Sequence, residues 1–206
     1  MDKIDLKKQY KHLYAPSPKA PVIVDVPAFN FLMMDGHGDP NTSADYQQVM
    51  NVLFTAAYTL KFAVKKALGI DYAVMPPEGL WWAADMAVFT ATSDKDSWDW
   101  TMMMVQPEYV TVALFAEVSP QIARKTGVEL VSRLRFERYH EGLSVQLMHI
   151  GPYAAEGPNI ARMHAFVHEQ GYELTGKHHE IYLSDVRRTA PESLKTVLRQ
   201  PIGKAG

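Results

Sequence analysis

The same order of elements occurs twice along this chain of 206 residues, and that repetition limits the fold more than any other feature. Phe29 to Met34 reads as an apolar strand entering the Gly/Pro turn Asp35-Gly36-His37-Gly38-Asp39-Pro40. A long amphipathic segment follows, with Tyr46, Val49, Met50, Leu53, Ala57, Leu60 and Val64 at helical spacing. Asn41, Thr42 or Ser43 supplies its cap and Gly69 its stop. Tyr72 to Met75 is strand-like and leads to Pro76-Pro77-Glu78-Gly79-Leu80-Trp81-Trp82. In the second half Leu143 to Ile150 reads as a strand and Gly151-Pro152 as its turn. A helix over roughly 157–170 carries Ile160, Met163, Phe166 and Val167 on one side, and a further strand surrounds Glu180. One strand–helix–strand–strand unit used twice predicts an α+β fold: two pseudo-twofold-related repeats with antiparallel sheets and a ligand cleft at their junction. The expected organisation is one domain over 1–206, with a first repeat at about 22–105, a connecting helix at about 107–126 and a second repeat at about 131–202.

Between the halves, Trp98 to Val105 reads as a strand. Pro107 opens a helix that Ser119-Pro120 breaks and restarts before Gly127. Arg133 to Tyr139 opens the second half. Thr189-Ala190-Pro191-Glu192 fits a capping box before a short helix carrying Leu194, Val197 and Leu198. The termini read as ordinary flanks.

Composition removes several function classes. Hydrophobic residues make up 47% and charged residues 21%, the balance of a globular chain. A net charge of −2 gives no electrostatic footprint for nucleic acid or an anionic membrane. The absence of cysteine excludes disulfides, thiol nucleophiles and thiolate metal sites. No apolar run is long enough to span a bilayer, and the charged start Met1 to Lys8 lacks the apolar core of a signal peptide. A cytoplasmic protein is expected. The 22 aromatic residues and 11 Met suit a roomy apolar pocket as well as a core.

One acid is out of place in this pattern. In the strand His178-His179-Glu180-Ile181-Tyr182-Leu183, alternation puts His178, Glu180 and Tyr182 on one face and His179, Ile181 and Leu183 on the other. A glutamate on an aromatic face is either paired to organise the core or belongs to a site.

Gly79-Leu80-Trp81-Trp82, His149-Ile150-Gly151-Pro152-Tyr153, His178 to Asp185 and the ending Arg187 to Pro201 together resemble the stand-alone GyrI-like proteins. These share a small-molecule-binding superfamily with SbmC and the effector domain of BmrR-type regulators, and the resemblance runs from about Tyr10 to Ile202. It implies two strand–helix–strand–strand repeats with an aromatic-lined pocket and a buried glutamate at their junction. Glu180 is the matching position. In the regulators that glutamate faces lipophilic cations. In stand-alone members it is associated with hydrolysis of cyclopropane-containing genotoxic compounds. The chain lacks the basic helix-turn-helix segment of the regulators.

Desolvation by Trp and Tyr would raise the pKa of Glu180 from about 4.3 toward neutrality, which suits a general base. Tyr182 shares its face and is the first candidate to donate to an oxygen that gains charge; Tyr109 and Tyr153 are others. Trp81 and Trp82 are candidate stacking residues, although neighbours in a strand point oppositely. His149 and His178 complete the expected ligand-binding set, His149 through a structural hydrogen bond at its turn. No metal is expected, because neither His164 with His168 nor His178-His179 has a third ligand at diagnostic spacing. No cofactor motif is present: Gly36-His37-Gly38 lacks the rest of a phosphate or dinucleotide loop, and there is no serine elbow. The expected partners are hydrophobic or aromatic small molecules, with no nucleic acid and no membrane, and a homodimer is compatible with the sequence. A non-catalytic protein that sequesters drugs or lipophilic cations is the alternative to the hydrolase. Inhibition of a target such as DNA gyrase is suggested by the family name alone.

Overall fold

A computed structural model describes residues 3–83 and 95–204. Two short helices, α1 (Leu6–Gln9) and α2 (Lys11–Tyr14), precede strands β1 (Val22–Val26) and β2 (Phe29–His37). Helix α3 (Ala44–Leu68) leads to β3 (Glu78–Trp82) and β4 (Asp99–Gln106). Helices α4 (Val112–Thr126) and α5 (Val128–Ser132) connect to the second half, which holds β5 (Arg135–Tyr139), β6 (Gly142–Ile150), α6 (Gly157–Glu169), β7 (Tyr172–Leu174), β8 (His178–Tyr182) and β9 (Lys195–Lys204).

The fold is α+β, built on a curled antiparallel sheet in the order β1-β6-β9-β8-β3-β4-β2-β5, with β7 on β9. This order is symmetric about the β8–β3 pair: β6-β9-β8 on one side answers β2-β4-β3 on the other. The halves join as one hydrogen-bonded sheet, with Glu78 opposite Ile181 and Trp81 opposite His178. The leading strands are exchanged as well. β1 runs into β2 yet pairs with β6, and β5 runs into β6 yet pairs with β2. Each half thereby covers an edge of the other, which an exposed sheet edge requires in some form.

Helix α3 forms where its apolar spacing predicts. Ser43 Oγ accepts from Tyr46 N at 3.2 Å at the start, and Gly69 ends it with φ 69°. Val49, Val52, Leu53, Ala56, Leu60 and Val64 are fully buried against Leu32, Met34, Trp100, Met102 and Met104 of the sheet. Burying a Val or Leu side chain stabilises by about 1.5–3 kcal/mol, so this face is a principal source of stability. Helix α6 places Met163 and Val167 over Val145, Leu147 and Leu198. Leu147 lies opposite Leu198, and Leu198 opposite Glu180, so α3 and α6 cover the same face of the sheet. The other face is packed by Leu6, Leu13 and Tyr14 against Met33, Leu80, Met103, Met148, Ile181 and Val197. The N-terminal segment is therefore core rather than flank.

Three further expectations change. Val197 and Leu198 belong to β9, and the capping-box segment gives only a 3-10 turn at Pro191–Ser193. β9 is covered on both faces, so its apolar run has no period to distinguish strand from helix. Tyr72 makes only a parallel bridge to Ile4, and the strand forms after the two prolines, at Glu78. Helix α4 starts at Val112 rather than at Pro107, capped by Thr111, whose Oγ1 accepts from Leu114 N, and runs through Pro120 unbroken. Pro120 is exposed, so the hydrogen bond it removes lies in water.

Candidate functional site

The sheet register sets an acid in the middle of an apolar row. Across one face run Met34, Met102, Gly79, Glu180, Leu198 and Leu147, each directly opposite the next. The neighbouring row is Gly36, Trp100, Trp81 and His178. Two glycines let the large rings lie flat. The Trp100 ring occupies the space a Cβ on Gly36 would need. A Cβ on Gly79 would stand 2.7 Å from Trp81 Nε1 and 3.0 Å from its Cε2. The Trp81 indole therefore lies across Gly79 toward Glu180's strand, and its Nε1 donates to the Tyr182 hydroxyl at 2.9 Å.

Tyr182 in turn donates to Glu180 Oε2 at 2.8 Å. His178 Nε2 stands 3.4 Å from Glu180 Oε1, within ion-pair range but without the alignment of a hydrogen bond. Aromatic rings enclose these groups. Tyr46 from α3 stacks on Trp81 at 6.4 Å between ring centroids and meets Trp100 edge-on at 5.2 Å. Trp98 meets Trp81 at 5.7 Å, and Tyr153 meets Tyr182 at 5.5 Å. Glu180 keeps 16% of its side-chain surface exposed and Tyr153 is 38% exposed, so the site opens on the Tyr153 side.

A second acid reaches the same place. Glu156 ends the 3-10 turn Tyr153–Ala155 and stands at the cap position of α6, yet its side chain makes no capping bond. It is buried beside Thr196 and within hydrogen-bonding reach of Glu180. Its Oε1 finds no hydrogen-bond donor among the described residues. The two carboxyls are pushed apart in pKa. Burial and the neighbouring Glu180 charge push Glu156 up to about 10. Burial acts on Glu180 too, but the His178 ring, the Tyr182 hydroxyl and the Glu156 carboxyl outweigh it and hold Glu180 below the usual carboxylate range. The expected rise in pKa thus falls on Glu156, which has fewer donors, and not on Glu180. Burial and the same two acids raise the Tyr153 phenol to about 12, and burial and Glu180 raise Tyr182 well above its ordinary value.

The remaining predicted residues lie elsewhere. Trp82 points to the opposite face, where Lys177 Nζ sits 3.1 Å from its ring centroid. It lines a groove of about 390 Å³ with Met33, Asp35, Leu80, Arg135 and Tyr139. Tyr109 packs on Tyr72, 6.4 Å between centroids, and not on Glu180. His149 shares the site's face but is taken up by its turn. Asn159 Nδ2 lies 2.9 Å from His149 Nδ1, and His149 Nε2 lies 3.2 Å from the Pro152 carbonyl oxygen, which fixes the entry into α6 and with it Glu156. Tyr46 and Glu156 come from outside the predicted set. Tyr46 carries the same helical spacing as the core, and an acid at a helix start reads as complementing the helix dipole.

His179, next to Glu180 in sequence, faces the other way into a buried ionic network. It lies 3.0 Å from Glu78 and 2.9 Å from Glu141, which also takes a 3.1 Å bond from Arg199. Burial opposes charge on His179, but Glu141 and Glu78 outweigh it and hold its pKa at about 9. Burial likewise opposes charge on Glu141, yet His179 and Arg199 hold it at about 2. Arg199 and Gln146 also donate to the carbonyls of Leu13 and His12, and Tyr14 donates to Glu78, so the network fastens α2 to the sheet. Among the described residues no group of three or more metal-ligating side chains is placed to hold an ion, and no helix is long and apolar enough to cross a membrane.

The family model of the GyrI-like small molecule binding domain matches residues 19–202. An uncharacterised conserved protein from Listeria innocua is 38% identical with a TM-score of 0.89, the match covering 98% of this chain and 100% of the other. A Listeria innocua structure described as a hydrolase is also 38% identical, with a TM-score of 0.84 and the same coverage. The EcmrR C-terminal domain shares the fold at 12% identity, with a TM-score of 0.54 over 90% of this chain and 98% of that one. No curated relative matches the chain.

Proposed function

Because the chain belongs to the GyrI-like small-molecule-binding domain family, we propose that it is a cofactor-independent hydrolase of cyclopropane-containing electrophiles, acting in the cytoplasm on flat, partly aromatic molecules. The observation that carries this reading is an ionised glutamate held by a tyrosine inside a cage of aromatic rings. Tyr46, Trp81 and Tyr153 offer the ligand flat apolar contacts, and Glu180 orients and deprotonates a water that attacks the strained ring. A positioned general base contributes a factor on the order of 10² to 10⁴ in rate. Tyr182 acts through Glu180: its hydroxyl already donates a hydrogen bond to the carboxylate, and its oxygen already accepts from Trp81. The hydrolase description of the Listeria innocua protein agrees with this chemistry without naming its substrate.

One observation favours a second reading, a binding protein without turnover. A carboxylate among electron-rich rings attracts a lipophilic organic cation by charge and by cation–π contact. Mass spectrometry of a cyclopropane-bearing dienone incubated with wild type and Glu180→Gln separates the two. Gain of one water that depends on Glu180 supports the hydrolase. Unchanged substrate with wild type, together with Glu180-dependent binding of tetraphenylphosphonium, sinks the hydrolase and supports the binding protein.

A further inference from the structure

Opening a cyclopropane conjugated to a carbonyl needs two proton movements. Water loses a proton as its oxygen bonds to the ring carbon, and the carbonyl oxygen gains one as the ring C–C electron pair moves into the conjugated system. Glu180 accounts for the first. Tyr182 cannot readily account for the second, since its hydroxyl hydrogen is committed to Glu180 Oε2. The group left over is Glu156. It is 5% exposed, it leaves its own helix uncapped, and its Oε1 lacks a donor among the described residues. Two neighbouring buried carboxyls hold one proton, because two carboxylates have no donor to share. An oxygen without a donor is where such a proton belongs.

Resting on the hydrolase reading, we propose that Glu156 is a second catalytic residue, the general acid that protonates the substrate's conjugated oxygen while Glu180 takes the proton of the attacking water. The step balances. The water oxygen bonds to the ring methylene, the cyclopropane C–C bond breaks, and its electron pair ends on the oxygen that Glu156 protonates. Product leaves with the elements of one water added, Glu180 protonated and Glu156 ionised. One proton passing from Glu180 to Glu156 across their shared contact restores the starting state without a proton from solvent. The groups facing Glu156 fit the assignment: burial and Glu180 disfavour its ionisation, while Thr196 and the Lys95 ammonium oppose them and keep the acid able to give up its proton. Burial together with the Glu180 charge raises its pKa to about 10, so it is protonated at neutral pH.

The test compares wild type, Glu156→Gln and Glu180→Gln on the same cyclopropane-bearing dienone, with an infrared spectrum of the unliganded proteins at pH 8. The expected result is that E156Q keeps substrate affinity within a few fold and loses kcat by about 10² or more. Its pH–rate profile also lacks the basic limb seen in wild type. The wild-type spectrum shows a protonated carboxylic acid at pH 8 that E156Q lacks. A merely structural Glu156 would move stability and leave the basic limb in place. Wild-type kcat and an unchanged basic limb in E156Q, with E180Q inactive, overturn the role of Glu156 and leave the hydrolase standing. Full turnover by E180Q removes the general-base role of Glu180, and unchanged substrate with wild type removes the hydrolase reading itself. If E156Q fails to fold, the wild-type spectrum decides: no protonated acid at pH 8 overturns the proposal.

Discussion

Replacing Gly79 by alanine adds one methyl at the point on which the site's geometry turns. The new Cβ would stand 2.7 Å from Trp81 Nε1, 3.0 Å from Cε2 and 3.2 Å from Met102 Sδ. Trp81 is 4% exposed and Met102 is fully buried, so neither has free space to move into. Overpacking of this kind costs about 1–3 kcal/mol. Displacing the indole also breaks its bond to Tyr182, and an unsatisfied buried donor costs about 1–3 kcal/mol more. Alanine recovers some backbone entropy, about 0.4–1 kcal/mol. The net expectation is a loss of about 2–4 kcal/mol, read as a shift in the urea midpoint at unchanged slope, with altered tryptophan emission and weakened ligand binding. Gly157→Ala is the matched control, since no atom lies within 4 Å of its Cβ. It should be neutral or stabilising by up to about 1 kcal/mol. A G79A protein with wild-type midpoint, emission and affinity would show that Trp81 is not held by the glycine.

Tyr182→Phe removes the donor to Glu180 Oε2 and should move the acidic limb of the pH–rate profile upward, because the carboxylate loses a bond made only to its charged form; a limb that stays in place counts against the role given to Tyr182. Trp81→Ala should abolish binding of an aromatic ligand while Trp82→Ala leaves it within about twofold, since the two indoles lie on opposite faces; equal losses in titration calorimetry would contradict that division. The His179 network gives a pH window. His179 is raised from 6.5 to about 9, so its contribution is complete below pH 6.5 and is lost as pH rises through 9. Glu141 is lowered from 4.5 to about 2, so its contribution is complete above pH 4.5 and is lost as pH falls through 2. The stabilisation from this network, read as the thermal midpoint, should therefore be greatest at pH 4.5–6.5 and fall on both sides. Glu156, raised from 4.5 to about 10, adds a loss of its own that begins near pH 4.5 and runs to about 10, and His179→Gln should remove only the extra steepness between 6.5 and 9; a slope between 6.5 and 9 that H179Q leaves unchanged would show that His179 is uncharged in the folded protein.

Much of the site was legible because strands alternate. Alternation alone put His178, Glu180 and Tyr182 on one face and left His179 for the other, and it required Trp81 and Trp82 to part company. The repeated order of elements likewise gave the α+β class and α3, whose apolar spacing is long and regular. Features set by distant partners were not legible. Nothing in Val22–Val26 or Arg135–Tyr139 says that each pairs in the opposite half, since the exchange is decided by the sheet as a whole. β9 lost its period because both its faces are covered. Glu156 and Tyr46 reach the site from the ends of two helices, where their residue types have commonplace local explanations. Glu156 also inverts the expected titration: a lone buried glutamate rises in pKa, whereas a pair separates into one acid held ionised and one held protonated.

The most direct measurement is a crystal structure of Glu180→Gln with an unhydrolysed cyclopropane-bearing aromatic ligand. The ligand is expected between α3 and α6, its ring plane against Trp81 or Tyr153 and its cyclopropane methylene near residue 180. Its conjugated oxygen should lie within hydrogen-bonding distance of Glu156. Density confined to the groove of Trp82, Lys177 and Arg135 on the other face of the sheet would contradict it.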